Sequence, residues 1–107
     1  MKLAIVLNTN DPETAWNVLR LAHRALQEKD NVLVFLLGDG VELEQIHSDQ
    51  FKVSDMLKQY LDAGGEILAC GTCLKSRGKT EGSQSCPASN LDTLYKLIEE
   101  SDKVLTF

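Results

Sequence analysis

The sequence predicts an α/β fold of three layers, α/β/α, with a mainly parallel sheet of four to five strands. Three observations predict it. Short apolar runs alternate with stretches of helical periodicity, and strands joined through helices pair in parallel with helices on both faces. The runs are apolar throughout rather than alternating, as expected for strands covered on both sides. Glycine and polar clusters punctuate the transitions between them. With 107 residues and no internal repeat, linker or low-complexity segment, the chain reads as one domain, residues 1–107.

Leu3 to Leu7 is the first buried strand. Asn8, Thr9, Asn10 and Asp11 then precede Pro12, a polar cap with proline at the first helical position. Ala15, Val18, Leu19, Ala22 and Leu26 mark one face of the helix that follows, and Asp30-Asn31 should end it. Val32 to Leu37 is a second strand, closed by the turn Gly38-Asp39-Gly40, with a less regular acidic stretch from Val41 to Gln50. Val53, Met56, Leu57, Tyr60 and Leu61 repeat the helical spacing until Gly64-Gly65 stops it. Glu66 to Ala69 is a third strand that delivers Cys70 at its carboxyl end, and Gly71 to Ser76 begins a short helix. Gly78 to Ser85 reads as a loop, with a weak signal for a short strand near Gln84 to Cys86. Ser89 or Asn90 caps a last helix carrying Leu91, Leu94, Tyr95 and Ile98, and Lys103 to Phe107 is the final strand.

Composition narrows the function classes. The apolar content of 43% is ordinary, and a chain this size needs neither disulfide nor metal to fold. Sixteen acidic and eleven basic residues give a net charge of −5, which argues against general binding to nucleic acid or anionic membranes. The longest apolar runs are far too short to span a bilayer. The opening Met-Lys-Leu-Ala-Ile-Val-Leu turns polar at Asn8, too soon for a signal peptide. A cytoplasmic location follows as the expectation, and with it reduced thiols.

All three cysteines lie in "LACGTCLKSRGKTEGSQSCP". Cys70 and Cys73 form a Cys-x-x-Cys pair, and Cys86 stands thirteen residues beyond, before Pro87. Packing alone is one reading, since cysteine is often buried. A zinc or iron–sulfur site is another, but a closed zinc site needs a fourth ligand. The two histidines, His23 on a helix surface and His47 in an acidic loop, lie far away in sequence. No metal or cofactor is therefore expected. Thiol chemistry is the third reading. A helix N-terminus and nearby cations favour the thiolate, and Cys70 lies where a helix should begin, with Lys75, Arg77 and Lys79 following. Cys73, one turn on, is placed to resolve a disulfide or persulfide. The setting differs from thioredoxin, because the motif lies past the middle of the chain and no cis-proline signal accompanies it. Ligands of open parallel sheets bind beyond the carboxyl ends of the strands, where Asn8 and Gly38 also fall.

The stretch "ILACGTCLKSRG", the "CP" at 86–87, the ending "LYKLIEESDKVLTF" and the opening "KLAIVLNTNDPETAWNVLRLAHRAL" resemble the DsrE/DsrF family of small sulfur-transfer proteins, which includes TusD-like subunits of sulfur relays. Its most specific element is a cysteine ending a strand, followed eight residues later by glycine in a basic turn, here Cys70 and Gly78. The resemblance implies a DsrE-like α/β/α fold and a persulfide carried on Cys70. It implies small sulfur-carrier proteins as donor or acceptor, and assembly as a homo-oligomer, a trimer or hexamer. The chain departs from single-cysteine carriers by adding Cys73, a possible resolving thiol, and Cys86, a possible auxiliary with Lys75 and Arg77. Two other readings stay open: a thiol–disulfide redox protein using Cys70 and Cys73, and a non-catalytic assembly subunit. Trp16 falls off the main apolar face of its helix, beside Arg20, His23 and Gln27. With Phe107 it is the expected subunit contact.

Overall fold

The computed structural model describes residues 1–79 and 81–107. Strand β1 spans Lys2–Leu7, and helix α1, Pro12–Gln27, follows it. Asp11 caps α1 by accepting the Thr14 N–H at 2.9 Å, and Pro12 stands in the first turn as the sequence predicts. The helix ends three residues before the expected Asp30. Lys29 takes a left-handed backbone, φ +67°, and turns the chain into β2, Asn31–Leu36.

The segment after β2, expected to be irregular, is a 3-10 helix over Gly38–Gln45. Helix α2 covers Val53–Asp62 and leads to β3, Glu66–Cys70, then to the short helix α3, Gly71–Lys75. The expected loop Gly78–Ser85 contains Thr80, which lies outside the described residues. The extra strand begins two residues past the end of its signal near Gln84–Cys86: β4 is Ala88–Ser89, where Ala69 and Cys70 of β3 find partners. Helix α4, Leu91–Glu100, is capped by Asn90, whose side chain accepts the Thr93 N–H at 2.9 Å. Strand β5 is Lys103–Thr106.

The five strands lie in the order β4-β3-β2-β1-β5, and every neighbouring pair is parallel. The chain steps outward from β1 to β4, then returns across the sheet to add β5 on the far side of β1. Right-handed crossovers therefore put α1 and α2 on one face and α4 on the other. The β1 and β2 side chains are almost all buried, which accounts for their unbroken apolar runs. Tyr60 is fully buried and donates its hydroxyl to the Glu66 carbonyl at 2.8 Å, tying α2 to β3.

Helix α4 corrects one expectation. Its inward residues are Leu94 and Leu97, whereas Leu91, Tyr95 and Ile98 stand exposed at 62%, 65% and 44%. Thr93, Lys96 and Glu100 overlook Leu33 and Glu66 across a cavity of about 340 Å³. By helical spacing the exposed stripe looks the other way, toward β5 and its exposed Val104. Trp16, expected at a subunit contact, is half-buried, its ring tilted against Phe51 at 5.6 Å and covered by the Arg20 guanidinium at 4.4 Å.

Candidate functional site

Cys70 ends β3 and occupies the cap position of α3, as its sequence position predicts. Gly71 begins the helix at once, so Cys70 and Cys73 sit one helical turn apart, close enough for the Cys73 thiol to act on Cys70. Their exposure differs. Cys70 is only 4% exposed, while Cys73 is half-buried and closer to solvent.

The electrostatics depart from the thiolate-favouring environment expected at Cys70. Its pKa is raised above the ordinary thiol value. Burial is the main cause, the Cys73 backbone amide pulls the other way, and the Cys73 thiol raises it again. The pull of the Cys73 and Thr72 backbone amides at the start of α3 does not offset burial. The cations also go elsewhere. Arg77 donates to the Cys73 carbonyl at 3.0 Å and to the Asp39 carboxylate at 2.6 Å. Lys79 donates to the Gln45 side-chain oxygen at 2.7 Å, and Lys75 is exposed.

The turn after β2 supplies a second part of the site. The Gly38 amide donates to Cys73 Sγ at 3.3 Å, across thirty-five residues of sequence. Gly38 takes φ +51°, and a Cβ there would collide with the Asn8 side-chain oxygen, so only glycine fits without displacing its neighbour. The carboxyl ends of β1, β2 and β3 thus bring Asn8, Gly38 and the two thiols to one end of the sheet, as parallel topology leads one to expect. Asp39 was not read from the sequence as a site residue. Its signal was an acidic group in a tight turn at the same sheet end as the basic stretch 75–79.

Cys86 is 4% exposed and lines a cavity of about 240 Å³ with Val41, Leu74, Gln45 and Lys79, a lining that includes neither Cys70 nor Cys73. Its backbone N–H donates to Ser83 Oγ at 3.0 Å, and Ser83 in turn donates to the Glu44 carboxylate. Burial pushes the Cys86 thiol up to about 12, and the Glu44 carboxylate beside it adds to the effect. Among the described residues, no group of three or more His, Cys, Asp or Glu side chains is arranged to hold a metal ion. His23 lies in the groove between α1 and α2, and His47 is exposed after the 3-10 segment.

Comparison with known proteins places this arrangement. The model of the DsrE/DsrF-like family matches residues 1–107. An uncharacterized protein of Methanopyrus kandleri is 34% identical over 89% of this chain and 83% of its own length. One of Methanocaldococcus jannaschii is 33% identical, with both chains covered in full. Among solved structures, the ychN protein from E. coli superposes with a TM-score of 0.83 at 24% identity, over 100% of both chains. A conserved protein of unknown function from Bacteroides thetaiotaomicron gives 0.76 at 21% identity, over 99% of this chain and 94% of that one.

Proposed function

Because the chain belongs to the DsrE/DsrF-like family, we propose that it serves in a sulfur relay, with Cys70 carrying sulfane sulfur as a persulfide and Cys73 able to discharge it. The observation that carries this reading is the contact of two thiols at the strand-end position that the family uses. In the loading step, the Cys70 thiolate attacks the outer sulfur of a donor persulfide. A new S–S bond forms on Cys70, the donor's S–S bond breaks, and the donor leaves as a thiolate. Passing the outer sulfur to an acceptor thiolate reverses this and restores Cys70. Alternatively, the Cys73 thiolate attacks the Cys70 sulfur, forms a Cys70–Cys73 disulfide and expels hydrosulfide. A dithiol must then reduce that disulfide before another cycle.

The second reading, a thiol–disulfide redox protein, is favoured by the same proximity, since an adjacent thiol shortens the life of any persulfide. Intact mass before and after polysulfide, and then after dithiothreitol, separates the two. Relay function requires a reversible gain of one sulfur in Cys73→Ser, where discharge to the disulfide is blocked, and its absence in Cys70→Ser. A loss of two hydrogens in the wild type, with no sulfur gained in Cys73→Ser, would instead establish the redox role. If neither change occurs and Cys70→Ser behaves as wild type, the chain is a non-catalytic subunit.

Location and assembly complete the proposal. No helix among the described residues is long and apolar enough to cross a membrane, and free thiols suit the cytoplasm. The exposed stripe of α4 with Val104 on β5 is the surface we assign to a homo-oligomer, a trimer or hexamer. The half-buried Trp16 and the exposed Phe107 are the second surface we assign to it. Small sulfur-carrier proteins would dock at the other end of the chain's surface, where β3 passes into α3 and Cys70 and Cys73 lie.

A further inference from the structure

We propose that Arg77 and Asp39 form a latch that positions Cys73. Only its consequence for sulfur discharge rests on the relay reading. The latch joins two segments that are distant in sequence, the turn after β2 and the helix α3. Three contacts close a ring. The Gly38 amide donates to Cys73 Sγ at 3.3 Å, Arg77 Nη2 donates to Asp39 Oδ1 at 2.6 Å, and Arg77 Nη1 donates to the Cys73 carbonyl at 3.0 Å. Gly38 and Asp39 are adjacent, so the ion pair fixes the same turn that carries the amide. Arg77 reaches the backbone of the residue whose sulfur receives that amide. Asp39 and Arg77 are positioning residues, acting through Cys73.

Both terminal nitrogens of the guanidinium fork are used, Nη2 on Asp39 and Nη1 on the Cys73 carbonyl and, at 3.1 Å, on Ser76 Oγ. A lysine ammonium keeps the charge but lacks the fixed fork that spans the two. Arg77 is also partly withdrawn from solvent, with its side chain 27% exposed against 57% for Asp39. The Cys73 sulfur is thereby kept on the Gly38 amide, a donor of the kind that stabilises sulfur as it carries negative charge.

An electrostatic account without a latch makes the opposite prediction at Asp39. Removing a carboxylate near a thiol should favour the thiolate and speed its reaction. A latch predicts that the same change releases the turn, withdraws the Gly38 amide and slows the reaction.

The test uses the Cys70→Ser/Cys86→Ser chain, in which Cys73 is the sole thiol, and follows its alkylation by iodoacetamide at fixed pH. The latch requires that Asp39→Asn and Arg77→Lys each slow alkylation about three- to tenfold, the order expected for one hydrogen bond, and that Asp39→Glu restore most of the rate. Unfolding cannot mimic this outcome, because it exposes the thiol and speeds alkylation. Unchanged or faster alkylation in Asp39→Asn overturns the latch. No sulfur cargo enters this measurement, so it stands apart from the relay reading. In the chain with all three cysteines, loaded with polysulfide, the same substitutions should lengthen the life of the Cys70 persulfide three- to tenfold. A chain that never gains sulfur defeats the relay reading and leaves the latch intact.

Discussion

At the level of single residues, the three cysteines are set apart by what surrounds each sulfur. Cys70 lies where the sequence put it, yet burial raises its pKa where the run of Lys75, Arg77 and Lys79 suggested the reverse. That run could not be read correctly from the sequence, because side chains a few residues apart point in different directions and choose partners such as Asp39 and Gln45 from another segment. A consequence follows for pH. The reactive form is the thiolate, so the loading rate of Cys70 should go on rising with pH through and beyond 9, the ordinary thiol value. A profile from pH 7 to 10.5 that levels off below 9 would contradict this. Cys86 gives a different signature. Its folded pKa of about 12 exceeds the ordinary 9.0, so its contribution to stability is complete below 9. It falls as pH rises from 9 toward 12, because only the unfolded chain ionises there. Cys86→Ala should therefore flatten the loss of stability over that window in urea titrations, and wild-type Cys86 should resist alkylation in the folded chain at pH 8.

At the level of elements, the continuous strands and the capped first helix were legible because burial on both faces and a proline-led cap leave direct marks in sequence. The strand-to-helix junction at Cys70 was legible for a similar reason. Helix α4 was not, since Leu91, Tyr95 and Ile98 keep a helical spacing as regular as the buried Leu94 and Leu97. Periodicity shows that apolar side chains share a face, but not whether the same chain covers that face. The α2–β3 junction offers a quantitative check. A Cβ on Gly65 would run into the ring of Tyr60, which is enclosed on all sides. Gly65→Ala should cost about 1–3 kcal/mol through overpacking. Tyr60→Phe should cost about 1–2 kcal/mol by leaving the Glu66 carbonyl without its donor. Equal urea midpoints for wild type and Gly65→Ala would show that the ring can move aside.

At the scale of the whole molecule, the strand order separates two tasks. The thiols stand where β3 passes into α3, toward the edge formed by β4, while by helical spacing the exposed apolar stripe of α4 is turned toward the β5 side. Assembly through α4 and β5 would therefore leave the thiol end free for another protein. Light scattering at micromolar concentration should give a trimer or hexamer, and Tyr95→Asp should lower the mass toward that of one chain while keeping the far-ultraviolet dichroism. A wild-type mass of a single chain would remove this assignment. The strand order itself was not legible, because alternation of strands and helices permits several orders, and only the return of α4 across the sheet fixes this one. One further property comes from the Gly38 donor. The Asp39–Arg77 pair is partly exposed and weakens as dissolved ions screen it. The Gly38 N–H is main chain. It carries no net charge and does not ionise, yet the Asp39–Arg77 pair fixes the turn that presents it to Cys73. The reactivity of Cys73 should thus decline between dilute buffer and molar sodium chloride, so that an uncharged peptide bond acquires a dependence on ionic strength from the ion pair beside it.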